Sequence, residues 1–156
     1  MDQAVEQFCS KYTAHRIATP QHQPKPALGM TPNDCVDNAA DYATLYPDWQ
    51  FCAGWYLDGH RLLAHSWNRK RKKHRDVTPL RLGITQPQVY VLSAHWSERL
   101  WHALQLLKAG DTTQVGFIHP CYQYQAGEWR EIANPVNDEF LERVRSVKQL
   151  LHKLAV

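Results

Sequence analysis

Between Trp49 and Asn68 the chain carries aromatic and aliphatic residues on both sides of an Asp58-Gly59 pair, and this stretch restricts the fold more than any other. Asp and Gly tolerate the positive φ that a two-residue hairpin turn demands. Strands are therefore expected near residues 50–57 and 60–68. The basic run Arg69-Lys-Arg-Lys-Lys-His-Arg75 follows at once, and then Arg75-Asp-Val-Thr78 reads as a third, shorter strand ended by Pro79. A basic run between two antiparallel strands is most simply a solvated hairpin tip.

The flanks read as helix, loop and further strand. Ala4, Val5, Phe8, Tyr12 and Ile17 fall near helical spacing over residues 2–17. Residues 18–32 carry four prolines and a glycine and are expected to be looped. Pro32, Asn33 and Asp34 then start a helix with Cys35 in its first turn, its apolar side made by Val36, Ala39, Ala40, Ala43 and Leu45. Gln88–Leu92 reads as a strand, Ser93–Lys108 as a helix closed by Gly110, and Val115–Tyr124 as another strand. From Asn137, a good N-cap, the apolar positions Phe140, Val144, Val147, Leu151 and Leu154 form a helical stripe over residues 138–155. That stripe reads as docked on its own domain, so a monomer or weak homodimer is expected. The whole is a single α+β domain over residues 1–156, with a segment at 33–80 completed by residues 81–156.

Composition narrows the function classes. Six of the eighteen Lys and Arg lie in the 69–75 run, leaving twelve against fifteen acidic residues elsewhere, a balance of about −3. A nucleic-acid-binding domain usually spreads its positive charge over a face, so a nucleic-acid partner is not favoured. The cysteines at 9, 35, 52 and 121 form no CxxC pair, and no apolar run approaches signal-peptide or membrane-span length. The expectation is a cytoplasmic protein with reduced thiols, no membrane contact, no metal and no cofactor. A leaderless exported protein would read the same.

The chemistry is concentrated in three residues. A thiol becomes a nucleophile when its thiolate is favoured, and the first turn of a helix favours it through free N–H groups and partial positive charge. A histidine adds an ion pair and a proton for the leaving group, and a carboxylate behind it sets its tautomer. Cys35, His65 and Asp76 meet these needs in helix, strand and neighbouring strand. If the hairpin centres between Lys70 and Arg71, His65 and Asp76 lie opposite each other on one face.

The segments Cys35-Val-Asp-Asn38-Ala39, Trp49–Gly54, His65-Ser-Trp67 and Asp76-Val-Thr78 resemble the CxxNA, G, HxW and DxT signature of transglutaminase-like proteins, a branch of the papain-like cysteine hydrolase superfamily. The resemblance covers about a third of the chain. It implies a Cys-bearing helix packed on an antiparallel sheet. It also implies acyl transfer through a thioester, with Cys35 as nucleophile, His65 as general base and acid, and Asp76 as orienting carboxylate. Ser66 stands where Ala is common, the basic run replaces a shorter connection, and Gly29 stands where the papain branch has Gln. The backbone N–H of Cys35 is one oxyanion candidate, and Asn33, Gln21 or Gln23 is the second.

Each of these residues also has a plainer reading. Cys35 can be a small packing residue, and Cys52, between Phe51 and Ala53, is expected to be one; Cys9 and Cys121 are given no role. Asn38 is expected to bond backbone near the site and Trp67 to pack beside His65. A zinc site from Cys35, Cys52, His60 and His65 lacks the short paired spacing of structural zinc motifs. His74, His95, His102 and His119 read as surface or core residues. The functional expectation is amide hydrolysis or acyl transfer on a protein or peptide substrate, by a peptidase, deamidase, amidase or transglutaminase. The alternative is a non-catalytic module that uses the 69–75 hairpin to hold an acidic protein or nucleic acid.

Overall fold

A computed structural model of the protein describes residues 1–32, 34–80, 84–111 and 119–133. In chain order the elements are helix α1 (Asp2–Tyr12), strands β1 (His15–Ile17) and β2 (Gln21–His22), a 3₁₀ turn (Pro26–Leu28) and helix α2 (Cys35–Leu45). Strands β3 (Gln50–Asp58), β4 (Arg61–Lys70), β5 (Lys73–Asp76) and β6 (Tyr90–Leu92) follow. Helix α3 (Ala94–Lys108) and strands β7 (Cys121–Gln125) and β8 (Glu128–Ile132) complete the described chain. The fold is α+β. Eight strands form one curled sheet in the order β1-β6-β3-β4-β5-β2, with β7 also paired to β4 and β8 to β7. All pairs are antiparallel except β2 with β5.

The central hairpin forms where the apolar pattern placed it, shifted by one residue at the turn. Asp58 pairs with Arg61, so the turn residues are Gly59 and His60. Positive φ is needed at the first of them only, and Gly59 supplies it at 60°. Asp58 instead ends the strand and bridges Arg61 at 3.0 Å.

Residues directly opposed across β3 and β4 share a face. Phe51, Ala53 and Trp55 line one face with Ala64, Ser66 and Asn68; Cys52, Gly54 and Tyr56 line the other with Leu63, His65 and Trp67. The three helices cover the first face. Val5 and Phe8 of α1 pack on Trp55, Leu62 and Ala64, while Ala39 and Ala40 of α2 and Leu100 and Leu104 of α3 pack on Phe51 and Ala53. The buried Asn68 side chain fastens α2 by donating to the Ala39 carbonyl at 2.8 Å. On the other face Cys52, Trp67 and Tyr90 form a cluster flanked by Ile17, Tyr56 and Leu92.

Several expected boundaries move for identifiable reasons. The first helix stops at Tyr12, where Thr13 turns left-handed at φ 50°, and Ile17 joins β1 to pack on Trp67 and Tyr90. The looped stretch 18–32 contains β2, which lies parallel to β5. The third strand begins at Lys73 rather than Arg75, so the upper half of the basic run is itself strand. Leu45, expected on the apolar side of α2, is exposed. In α3 the Ser93 hydroxyl caps the helix by accepting the Trp96 N–H at 3.0 Å. Strand β8 was not expected. The helix expected over 138–155 lies outside the described residues, as do Asn33 and the first part of the 115–124 strand.

Gly54 is the tightest point of the sheet. It sits opposite both His65 on β4 and Leu92 on β6. A Cβ there would stand 1.9 Å from the Val91 carbonyl oxygen, a backbone atom that cannot swing away. Gly54→Ala must therefore separate β3 from β6. The expected outcome is a loss of about 3 kcal/mol or more in urea unfolding, with incomplete folding at the upper end. A Gly54→Ala variant as stable as the parent would show that β6 does not dock as described.

Candidate active site at the parting of the sheet

The far edge of β4 is shared by two strands. β7 pairs with Arg61 and Leu62, and β5 pairs with Asn68, Arg69 and Lys70, so residues 63–67 lie between the two pairings. His65 is the midpoint of that gap. On the same edge the Ala64 N–H donates to the Cys121 thiol sulfur at 3.1 Å, fixing β7 beside the gap.

Cys35 is the first residue of α2, where backbone N–H groups have no partner within the helix. Asp34 stands at the cap position without a side-chain bond to the helix; its carboxylate instead accepts from the Thr31 hydroxyl. Asn38, one turn into the helix, holds this start in place. Its amide donates to the Thr31 carbonyl at 2.8 Å and to the Thr78 hydroxyl at 3.1 Å. Asn38 thus bonds backbone, as expected, and its bond to Thr78 reaches the segment that follows the strand carrying Asp76.

His65 and Asp76 come together, though not in the register expected. Lys70 pairs with Lys73, Arg69 with His74 and Asn68 with Arg75, which centres the hairpin between Arg71 and Lys72. Continuing that register puts Asp76 opposite Trp67, so His65 and Asp76 are diagonal neighbours on one face. A histidine spans the diagonal: its Nε2 lies 2.7 Å from Oδ2 of Asp76. Trp67 takes the intervening place, with its ring stacked on His65 at 6.2 Å and its N–H donated to Nδ1 of His74 at 3.0 Å.

The Asp76 carboxylate is saturated with donors. Besides His65 it accepts the Tyr90 hydroxyl at 2.8 Å on Oδ2 and the Thr78 N–H at 3.2 Å on Oδ1. Burial pushes this carboxyl up, but the His65 charge and these hydrogen bonds outweigh it and hold it below its ordinary value. His65 answers in the opposite sense. Burial pulls the ring down, the Asp76 carboxylate and then the Cys35 sulfur push it up, and the result is about 10. Nε2 is given to Asp76, and the Cys35 sulfur lies close enough to the ring to raise it. The site is nearly closed, with Cys35 7% exposed and the His65 and Asp76 side chains 11% and 5%.

The other candidates fall elsewhere. Gln21 and Gln23 lie along β5, opposite Arg75 and with the Gln23 N–H on the Asp76 carbonyl, and Asn33 lies outside the described residues. Cys52 faces Trp67 across the hairpin and His60 sits in the β3–β4 turn. Among the described residues no three His, Cys, Asp or Glu side chains gather as a metal ligand set. All four cysteines are free. Burial raises Cys9 and Cys121, and raises Cys52 to about 11. No helix among the described residues is long and apolar enough to cross a membrane.

One contributor escaped the sequence reading. Tyr90 comes from a short strand far outside the 33–80 stretch, and only its pairing with β3 brings it to Asp76. His119 is buried against Trp96 at 4.9 Å and Trp55 at 5.2 Å, and burial followed by the His65 charge keeps it neutral, down to about 3. Sequence offered no signal for Tyr90 beyond an aromatic on a strand, whereas His119, expected at the surface or in the core, lies in the core.

The shifts fix a pH dependence. His65, raised above its ordinary 6.5, contributes stability that is complete below that value and lost as pH rises through about 10. Asp76, lowered from 3.8, contributes above that value and loses its share as pH falls through its depressed value. Asp76→Asn should remove both limbs from urea melts taken across pH, and in NMR titration the His65 ring should move from about 10 to below its ordinary range. A ring that stays protonated at neutral pH in Asp76→Asn would place its partner elsewhere. Compared with protein-family models, curated proteins and solved structures, the chain matches none of them.

Proposed function

We propose that the protein is a cysteine hydrolase or acyltransferase with a papain- or transglutaminase-like core, acting on amide bonds of a protein or peptide. One observation carries this reading. His65 stands between a thiol at the first residue of a helix and a buried carboxylate 2.7 Å from its Nε2. A histidine charged at neutral pH beside a sulfur carries a proton it can give to a leaving group, and a helix start favours negative charge near it.

The steps follow from these positions. The Cys35 sulfur attacks the amide carbonyl carbon, and the carbonyl π electrons move to oxygen. The Cys35 N–H is placed to meet that oxyanion. When the tetrahedral adduct collapses, the C–N bond breaks and the His65 Nδ1 proton goes to the departing nitrogen, leaving a thioester. His65, now neutral, takes a proton from the incoming acceptor as it attacks the thioester, and the thiolate departs. Asp76 keeps Nε2 protonated throughout, which leaves Nδ1 to exchange the proton. Water as acceptor gives a peptidase, amidase or deamidase; an amine gives a transglutaminase.

The same geometry supports a discriminating experiment. Cys9 is the most exposed thiol, whereas Cys35 is buried. If exposure governed reactivity, Cys9 would be alkylated first. The proposed nucleophile instead predicts that iodoacetamide modifies Cys35 at least about tenfold faster than Cys9, Cys52 or Cys121, read by peptide mass spectrometry. His65→Ala should abolish that preference while Tyr90→Phe only weakens it. A native protein in which Cys9 reacts first would remove the basis for the nucleophile.

A further inference from the structure

We infer that the tip of the β4–β5 hairpin is a docking surface for an acidic polypeptide segment. The tip is built against local preference. Lys70 and Lys73 are directly opposed across the strands, a like-charge pair that opposes the hairpin it closes. The turn residues between them are Arg71 and Lys72, and Arg71 adopts φ 56°. In the β3–β4 hairpin the same first turn position also has positive φ and is occupied by Gly59, the residue that adopts it without strain. A chain selected for hairpin stability alone would place Gly or Asn at 71 and a neutral or acidic residue at 70 or 73.

The base of the same hairpin is used differently. Arg75 lies over the Trp49 ring at 4.0 Å and donates to the Tyr42 hydroxyl at 2.8 Å, and His74 accepts from Trp67. These two are scaffold. Lys70, Arg71, Lys72 and Lys73 are exposed, and among the described residues the ion pairs engage Arg16, Arg61, Arg130 and His65, with none on the tip. The concentration of positive charge therefore has a local cost and no visible structural return, the condition in which a binding role is the economical explanation.

Charge distribution selects the partner. Outside the 69–75 run the chain carries twelve basic and fifteen acidic residues, so a cationic tip projects from a net acidic remainder. A nucleic acid, charged along its whole length, would extend past the tip toward like charge, and residues 69–73 include no aromatic ring for bases to stack on. A short run of Asp and Glu needs only the tip. Lys70 is five residues beyond His65 on β4, about 17 Å at ~3.3 Å per residue, so a segment held there lies within a few residues' reach of the candidate active site.

The inference does not depend on the chemistry of Cys35, and the test separates the two. Fluorescence anisotropy with a labelled poly-glutamate peptide should show binding that weakens steeply between about 50 and 200 mM salt and is unchanged in Cys35→Ala. Combining Lys70→Ser, Lys72→Ser and Lys73→Ser should weaken it about tenfold or more. Arg71→Gly alone should raise the melting temperature by a few degrees, since it relieves the turn. The inference is overturned if the parent protein holds a neutral peptide as tightly as poly-glutamate, if duplex DNA or single-stranded RNA binds more tightly than the peptide, or if the triple-serine variant retains the parent affinity.

Discussion

The structure depends on one buried anion. Asp76 carries a charge in a place where water cannot solvate it, and an unpaired carboxylate there would be protonated or would unfold the site. Its three donors come from three parts of the chain: the His65 ring from β4, the Tyr90 hydroxyl from β6 and the Thr78 N–H from the segment after β5. Thr78 passes the constraint on, because its hydroxyl accepts from Asn38 in the first turn of α2. The helix start, the central hairpin and the distant strand β6 are thereby tied to a single carboxylate, and the position of Cys35 relative to His65 is a consequence of it.

That network also explains why Gly54 tolerates no side chain. Tyr90 reaches Asp76 only if β6 lies close against β3, and the closest approach is at Gly54 and Val91. One missing Cβ in the middle of β3 thus governs whether the carboxylate on β5 is satisfied. The same strand position pairs with His65 across the hairpin, so a shift of β3 at Gly54 would also move the strand that carries the ring.

What was legible beforehand follows from the range of the forces involved. The hairpin at 50–70, the Cys35 helix start and the helix from Ser93 to Lys108 are local, set by alternation, turn chemistry, first-turn polarity and helical spacing, and each appears within a residue or two of where those patterns place it. The pairing of His65 with Asp76 was legible in kind because period-two alternation fixes the face. Its register was missed by two because the turn lies at Arg71-Lys72, and nothing in a run of like charges marks which pair will turn. Ile17 reads as helical by spacing, but pairing of β1 with β6 overrides that spacing, a long-range event without a local signature. The contact of Tyr90 with Asp76 was invisible for the same reason.

A buried His–Asp pair can be purely structural, and the plain reading of this site is that it holds the sheet together. Stability alone would be served as well by apolar side chains of similar volume, since desolvating two charges offsets most of their attraction. A structural pair would also need no third polar group in line with it. Here the Cys35 sulfur at a helix start lies close enough to raise the His65 ring, and Asn38 ties that helix start to Thr78, whose N–H bonds the carboxylate. Packing at position 35 would be met by Ala or Ser without any of this alignment. A desolvated ion pair beside a sulfur at a helix start is the arrangement on which the proposed chemistry rests.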